Sequence, residues 1–348
     1  MRPSVLALDT GAAGGAVFHA MGIPLAWMLG PMMVNMLAGL GGFRIGVSDR
    51  LRAVILIGLG LYLGSAFHPG LIDQVAAWPW SVAGMLGFVP VSVAVGTWYL
   101  RRVARLDPAT ALFAAIPGGF SAMVALGTAA GGDDRRIALI HALRIIVVVT
   151  LTTAAVAAQG GAGVDVATAS SAPAATRPTV EGIQLALLIV AGGLGFGLAR
   201  RARLPAPHVT GRMAVSGTLY MTGIVTTALP PAVLHVGLLV LGASIGARFA
   251  SFRVGDILRT GRHALVFVAL TLSLAVLAGA AVAAFLGLPW VAVVVAFAPG
   301  GVAEMSVLAI TLGIDPVYVA VHHVTRIMVL LAVAPFLGRL LSTRSPPG

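Results

Sequence analysis

PGGFSAMVALGTAAGGDDRRIALIHALRIIV, at residues 117–147, and PGGVAEMSVLAITLGIDPVYVAVHHVTRIMV, at residues 299–329, are two copies of one segment. The copies align without a gap at an offset of 182 residues, and 12 of 31 aligned positions are identical. They share a Pro-Gly-Gly triplet, a later Gly and Asp, and a His followed three residues on by an Arg. Because both copies lie in strongly hydrophobic sequence, we interpret them as a duplicated helix break followed by duplicated basic side chains at membrane depth.

The composition is that of an integral membrane protein. The chain is 59% hydrophobic and 9% charged, with a mean hydropathy of +1.01, whereas soluble domains average about 25% charged residues. Its 348 residues are enough for roughly ten spans of ~20 residues. All 22 basic residues are Arg, mostly in short loops between apolar runs, which is the positive-inside pattern of the lipid bilayer and does not indicate nucleic acid. The absence of cysteine excludes thiol catalysis, and we expect no cofactor or metal.

Six apolar segments occur in each half of the chain. They cover residues 4–22, 25–42, 51–68, 79–100, 109–130 and 136–158, then 183–199, 207–225, 232–247, 263–286, 289–313 and 317–340. Pro24, Gly30 and Met32 recur as Pro205, Gly211 and Met213. We therefore predict a first membrane repeat at 1–158, a linker at 159–182 and a second membrane repeat at 183–348.

The arginine clusters indicate how often the chain crosses the membrane. They follow the second and fourth apolar segments of the first half, but the first and third of the second half. If all twelve segments crossed the membrane, the arginine clusters of the first half and those of the second half would lie on opposite sides. If segments 109–130 and 289–313 instead enter and leave on the same side, all of these clusters are cytoplasmic. The positive-inside rule then predicts ten transmembrane helices plus two re-entrant hairpins, in two inverted repeats. It also predicts that both termini are cytoplasmic, in a bacterial-type inner membrane.

The Pro-Gly-Gly triplets are the predicted hairpin tips. Proline removes a backbone donor and glycine permits turns that other residues resist. Such open backbone is tolerated at membrane depth only where it is buried in protein or lines a wet cavity. The alternative is a simple kink in a spanning helix. The six tip residues are Pro117, Gly118, Gly119, Pro299, Gly300 and Gly301.

Arg144 and Arg326 are the strongest candidates for charge recognition. Each lies about ten residues into its helix, roughly 15 Å deep, where an ionised side chain costs at least ~2.5 kcal/mol and calls for a partner. His141 and His323 lie on the same helical faces, three residues earlier. Two guanidinium groups near two helix N-termini favour an anion, most naturally a carboxylate or a phosphate. The alternative is a structural role, in which each Arg holds hairpin carbonyl groups or a local acid.

Further polar residues extend these predictions. Glu304 lies near the second tip, at the position where the first repeat has Ala122. It is a candidate for binding a coupling proton or Na⁺, and the alternative is a salt bridge with Arg326. Ser121 is a candidate donor to substrate. Asp133 and Asp315 are predicted to cap the N-termini of their helices. The GxxxG pairs are predicted to pack scaffold helices, with a homodimer face as the alternative. These pairs are Gly60/Gly64, Gly193/Gly197 and Gly242/Gly246.

The two PGG…D…H…R blocks, together with the repeated Pro24–Met32 segment, resemble the AbrB-type membrane protein family over essentially the whole chain. Members of that family are variously labelled ammonia monooxygenase or AbrB family transcriptional regulator. The resemblance also implies kinship with the group of folds in which inverted repeats form an elevator transporter. Neither label suits these residues, since the His are not clustered as metal ligands require and the cytoplasmic loops are too short for a DNA-binding domain.

The residues and the resemblance together predict a secondary transporter and not an enzyme. We expect a small organic anion, with a carboxylate as the first candidate, bound at the two tips and coupled to a proton or to Na⁺. The alternatives are a membrane sensor that affects gene expression indirectly and, with less support, a membrane monooxygenase.

Overall fold

The computed structural model describes residues 3–68, 71, 75, 78–157, 182–227 and 229–342. These residues form helices joined by short turns, and no strand occurs among them. The chain is thus an all-α protein, as its sequence predicts. The predicted linker lies outside the described residues except for Gly182.

Both repeats contain the same seven helices in the same order among the described residues. In the first repeat these are α1 (Pro3–Ala20), α2 (Ala26–Leu40), α3 (Asp49–Gly64), α4 (Trp78–Arg102), α5 (Pro108–Ala115), α6 (Phe120–Ala129) and α7 (Asp134–Ala157). In the second they are α8 (Gly182–Arg201), α9 (Pro207–Met221), α10 (Ala232–Ala247), α11 (Val254–Leu286), α12 (Trp290–Phe297), α13 (Val302–Thr311) and α14 (Pro316–Ser342). The short helices match in length: α5 and α12 have 8 residues each, and α6 and α13 have 10.

Six helical stretches of the described chain are long and apolar enough to cross a membrane. They are Trp78–Arg102, Asp134–Ala154, Gly182–Arg201, Ala232–Ser251, Val254–Leu286 and Pro316–Gly338. Together they make this a multi-pass membrane protein. The helices on the C-terminal side of each Pro-Gly-Gly triplet, Phe120–Ala129 and Val302–Thr311, are apolar but too short to span.

Two compact units divide the chain, and they do not coincide with the sequence repeats. The first unit comprises Met1–Trp78, Val149–Ser251 and Val302–Val321. The second unit comprises Pro79–Val148, Phe252–Gly301 and His322–Gly348. The first unit contains α1–α3 with their counterparts α8–α10, and the second contains α4 and α5 with their counterparts α11 and α12. The exception is α6, which lies in the second unit, whereas its counterpart α13 lies in the first.

Equivalent glycines hold equivalent helix pairs together in the first unit, where α3 packs on α9 and α10 packs on α2. A Cβ atom at Gly60 would lie 3.0 Å from the carbonyl oxygen of Val209, and one at Gly242 would collide with the carbonyl oxygen of Met28. Since both the glycines and their partners are equivalent positions of the repeats, an approximate twofold symmetry relates these two helix pairs. The predicted packing role of these two GxxxG pairs is confirmed.

The third GxxxG pair packs against no neighbouring helix of the described part of the chain. A Cβ atom at Gly193 or Gly197 would meet nothing within 4 Å, whereas one at Gly195 would collide with the carbonyl oxygen of Gly211. Gly195 lies two residues from either member of the pair, which is about 200° around the helix. The predicted packing role is therefore wrong for Gly193 and Gly197, because α8 packs through its opposite face.

A helical hairpin formed by α5 and α6 positions the candidate site in the second unit. The backbone amide of Asp133 donates a 2.7 Å hydrogen bond to Thr110 Oγ1. A Cβ atom at Gly132 would lie 3.0 Å from the backbone nitrogen of Thr110. The chain thus returns after α6 to the point where α5 began, and the first Pro-Gly-Gly triplet lies at the tip of this hairpin.

Candidate functional site

The two Pro-Gly-Gly triplets break their helices with the same local structure. The amide of Gly118 donates to the carbonyl oxygen of Ile116 at 2.8 Å, and the amide of Gly300 donates to that of Ala298 at 2.9 Å. Ile116 and Ala298 are extended, with ψ of 120° and 140°. Because the chain leaves the helix here and proline has no amide hydrogen, carbonyl groups near each break lack their helical partners.

Arg326 binds the carbonyl groups of the second break. Its Nη1 donates to Ala298 at 2.8 Å and its Nη2 donates to Gly300 at 2.7 Å. A longer contact of 3.5 Å joins Nη1 to the carbonyl oxygen of Phe297. The side chain is 1% exposed. In this conformation Arg326 therefore has the structural role that the sequence left open as the alternative.

Arg144 occupies the equivalent place at the first break with a looser contact. Its Nη1 donates to the carbonyl oxygen of Ile116 at 3.4 Å, and the side chain is buried. Ile116 and Ala298 are equivalent positions, so the two arginines address the same carbonyl group in each repeat. The second break is bound by short hydrogen bonds and the first by one long hydrogen bond.

Each histidine orients the arginine of its repeat. Arg144 Nη2 lies 2.8 Å from His141 Nδ1, and His141 Nε2 lies 3.0 Å from the carbonyl oxygen of Phe113. A guanidinium can only donate and a carbonyl can only accept. His141 is therefore the neutral tautomer with its hydrogen on Nε2.

The second repeat has the same series of contacts. Arg326 Nη2 lies 2.8 Å from His323 Nδ1, and His323 Nε2 lies 3.2 Å from the carbonyl oxygen of Val295. Both ring nitrogens of both histidines thus take part in internal contacts. Neutral histidines leave the positive charge of the two arginines uncompensated.

The two guanidinium groups are both buried in the second unit. Among the described residues of the second unit, neither has a carboxylate within 4 Å. The Nε atoms of Arg144 and Arg326 are buried and have no hydrogen-bond partner. The second unit therefore contains two buried cations next to two helix breaks, each with a free donor.

The other predicted site residues differ in exposure. Pro117 and Pro299 are buried, whereas the glycines of both triplets are half-buried. Ser121 is exposed at the start of α6. The second unit thus contains every predicted site residue except Glu304.

Glu304 is buried in the first unit on α13. Arg248, which follows α10, lies in the same unit and carries the opposite charge. Sequence reasoning did not single out Arg248, because it stands in one of the loop clusters that the positive-inside pattern already explains.

Asp133 and Asp315 have the predicted capping contacts. Asp133 Oδ1 accepts from the amide of Arg136 at 3.0 Å, and Asp315 Oδ1 accepts from the amide of Val317 at 2.8 Å. The two aspartates differ in burial, and burial raises the pKa of Asp315. The capping interpretation is confirmed for both.

A cavity of about 660 Å³ lies in the second unit between α4 and α14. Leu112 and Ile116 of the hairpin line it, and so does Arg326. Most of the remaining lining is aliphatic. The sequence provides no signal for such a cavity, because its lining residues resemble any others in an apolar span.

These features define a class: an all-α, multi-pass membrane protein with two equivalent helix breaks, each bound by a buried Arg and a neutral His. The family described as transition state regulatory protein AbrB matches residues 27–342. The chain belongs to this family, and the resemblance noted from its sequence is confirmed.

Two relatives match the chain over nearly its whole length. It is 25% identical to the "Putative regulator AbrB" of Escherichia coli (strain K12) over 335 residues, covering 94% of this chain and 93% of the relative. It is 24% identical to the "Uncharacterized protein YhjN" of Bacillus subtilis (strain 168) over 354 residues, covering 95% of this chain and 91% of the relative.

Proposed function

We propose that this protein is a secondary membrane transporter that carries a small organic anion and recognises its carboxylate. The main support is the pair formed by Arg144 and Arg326, two buried cations with no carboxylate from the described part of their unit within 4 Å. Placing each ionised side chain at membrane depth costs at least ~2.5 kcal/mol of free energy. A bound anion would offset that cost, and a guanidinium matches the planar geometry of a carboxylate.

The helix breaks would complete the site. Gly119 immediately precedes the N-terminus of α6, which favours negative charge. Arg326 would exchange part of its bonding to backbone carbonyls for bonds to the substrate. The neutral histidines would keep both guanidinium groups oriented, and Ser121 would add a hydroxyl donor.

The membrane topology that suits this function has ten spans and two re-entrant hairpins. The return of α6 to the start of α5 supports a hairpin in the first repeat. The arginine pattern supports an inverted second repeat, with both termini cytoplasmic in a bacterial-type inner membrane. Transport would then occur by an elevator movement, and the protein would work as a monomer or a homodimer.

Glu304 is the proposed coupling group. It is a buried carboxylate with no counterpart in the first repeat, where Ala122 stands. Binding of a proton or of Na⁺ at this carboxylate would change its interaction with Arg248. The free energy of ion binding would thus be linked to the conformation of the first unit.

A second candidate function is that of a sensor that binds the anion without moving it. The printed name of the Escherichia coli relative favours it, since that protein is described as a putative regulator. A sensor and a transporter share the binding site and differ only in whether the ligand crosses the bilayer.

The test uses purified protein in liposomes and in detergent. Stabilisation by a panel of carboxylates, phosphates, sulfonates and ammonium identifies ligands, since a ligand at 100 times its Kd adds ~2.7 kcal/mol of stability. Counterflow of the best anion into liposomes then measures transport. We expect Arg326→Gln and Arg144→Gln to abolish both, and Arg259→Gln, at an exposed position of the same unit, to keep both.

The outcomes separate the candidates. Normal counterflow in folded Arg326→Gln protein would refute the site assignment. Binding without counterflow in the wild type would favour a sensor. Glu304→Gln is expected to retain counterflow but to lose uptake driven by an ion gradient, and retention of driven uptake would exclude Glu304 as the coupling group.

A further inference from the structure

The cavity of the second unit has an apolar body with basic groups at both ends. Its volume of about 660 Å³ lies within the range of ~300–1,000 Å³ that is typical of small-molecule sites. Such sites are mostly apolar with a few polar groups that fix the ligand. The positions of the polar groups therefore indicate how a ligand would lie.

α4 and α14 run parallel on either side of this cavity. Ser81 Oγ lies 2.9 Å from His322 Nε2, which aligns the two helices just before the cavity begins. On α14 the lining runs from Arg326 to Leu337, about 17 Å at 1.5 Å per residue. On α4 it ends at Arg101 and Arg102. Arg326 is therefore at one end of the cavity and the two α4 arginines are at the other.

The Arg326 end suits the carboxylate. Arg326 is 1% exposed and its Nε has no hydrogen-bond partner. Ile116, the residue bound by Arg144, lines the same cavity. An anion at this end therefore meets a desolvated guanidinium beside the first helix break.

Among the described lining residues, the middle of the cavity offers no charged partner, although the hydroxyl of Thr97, which has no hydrogen-bond partner, lines it on α4. Its walls are Val93 and Ala94 on α4 with Val329 and Leu330 on α14. These side chains have neither donors nor acceptors, so a polar group there would lose its hydration without compensation. Only an apolar group is stabilised along this stretch.

We propose that the anion is an amphipathic monocarboxylate, with its carboxylate at Arg326 and an aliphatic or aromatic body along the α4–α14 cavity. This inference rests on the proposed function and narrows its substrate class. Small hydrophilic anions would leave the apolar walls unfilled, and dicarboxylates would place a charge against them.

The test measures Kd for straight-chain acids from acetate to octanoate, and for the matching primary amides, with the purified full chain. The Kd of the acids should fall about fourfold for each added methylene until the cavity is filled, from ~0.8 kcal/mol per buried methylene. The uncharged amides should bind at least about tenfold more weakly than the acids of equal length.

A cavity-filling variant tests the location. Ala94→Phe should leave the Kd of acetate unchanged and stop the improvement with length at shorter acids. The control is Ala83→Phe, at an exposed position on the same helix that does not line the cavity. It should reproduce the wild-type series. Neither variant removes a hydrogen bond of Arg326, so both remain informative if Arg326→Gln fails to fold.

The remaining outcomes overturn one proposal or the other. Anion binding that does not depend on length would refute the amphipathic substrate and leave the transporter proposal standing. No binding of any acid in the series would refute the amphipathic monocarboxylate, and no binding of any anion in the wider panel of carboxylates, phosphates and sulfonates would refute the transporter proposal as well. Equal affinity for acids and amides would mean that the cavity takes uncharged molecules. Anion binding could persist in Arg326→Gln and be lost in the double variant Arg101→Gln/Arg102→Gln. This result would place the anionic group at the opposite end of the cavity, where a lipid headgroup would lie, and would overturn the inference.

Discussion

Replacing each buried arginine by methionine should destabilise the two repeats unequally. Arg326 makes two short hydrogen bonds to backbone carbonyls, at 2.8 and 2.7 Å. Arg144 makes one bond of 3.4 Å. The loss of a buried cation and of the bond to histidine is common to both variants, so these terms cancel in the comparison. The remaining difference in the free energy of unfolding is close to that of two charge-assisted hydrogen bonds, each worth about 1.5–3 kcal/mol.

Arg326→Met should therefore be less stable than Arg144→Met by about 3 kcal/mol or more. At about 2 °C per kcal/mol, this lowers Tm by roughly 6 °C relative to the Arg144 variant. The assay is thermal unfolding of both purified variants in one detergent, without added anions. Arg259→Met is the control, because an exposed substitution should stay within about 0.5 kcal/mol of the wild type.

An equal Tm for the two variants, or a lower Tm for Arg144→Met, would refute this reasoning. It would mean that the carbonyl contacts of Arg326 contribute nothing beyond those of Arg144. The guanidinium would then be available to a ligand at no energetic cost.

Three further predictions concern the surrounding structure. Thr110→Val removes the acceptor of the Asp133 amide and should lower the free energy of unfolding by about 1–3 kcal/mol. The control Thr128→Val, at an exposed helical position, should lower it less. Equal Tm values for the two variants would show that this hydrogen bond does not stabilise the hairpin. Gly242→Ala should lower the free energy of unfolding by about 1–3 kcal/mol or prevent folding, because its Cβ would collide with the backbone of Met28. The control Gly197→Ala should fold normally, and size-exclusion profiles and Tm compare the two variants. A Gly242→Ala protein with a wild-type profile and Tm would contradict the described packing of α10 on α2. Burial raises the pKa of Asp315 above its ordinary 3.8, so the folded state binds this proton more tightly than the unfolded state. The free energy of unfolding should then fall as pH rises from the ordinary pKa through the raised one. In Tm measurements over a pH series, Asp315→Asn should reduce that fall. An Asp315→Asn profile identical to that of the wild type would exclude Asp315 as the source of the pH dependence.

Much of the fold was predictable from local sequence. The Pro-Gly-Gly triplets predict the breaks because proline lacks an amide hydrogen, and α5 and α6 do end and begin around Pro117. The duplication predicts equivalent helices because equivalent sequence has equivalent local preferences. Asp133 and Asp315 were predictable as caps for the same reason, since capping bonds reach only two or three residues along the chain.

Long-range contacts were not predictable in this way. Gly193 and Gly197 have the same spacing as the glycines that pack, yet α8 packs through Gly195. Spacing identifies a face of a helix, but the neighbouring helix decides which face is used. The cavity lined by Arg326 likewise depends on residues far apart in sequence.

Residue order alone is enough to predict a membrane protein with a duplicated helix break and a duplicated His–Arg pair, because hydropathy, the chemistry of proline and internal repetition can all be read from it. The hydrogen-bond partners of the arginines, in contrast, depend on how the helices pack. A buried guanidinium takes whichever acceptors the fold brings within about 3 Å, and here those are the carbonyl groups of Ala298 and Gly300 for Arg326, but one distant carbonyl for Arg144. The difference between two identical motifs therefore arises from packing, which residue order does not specify.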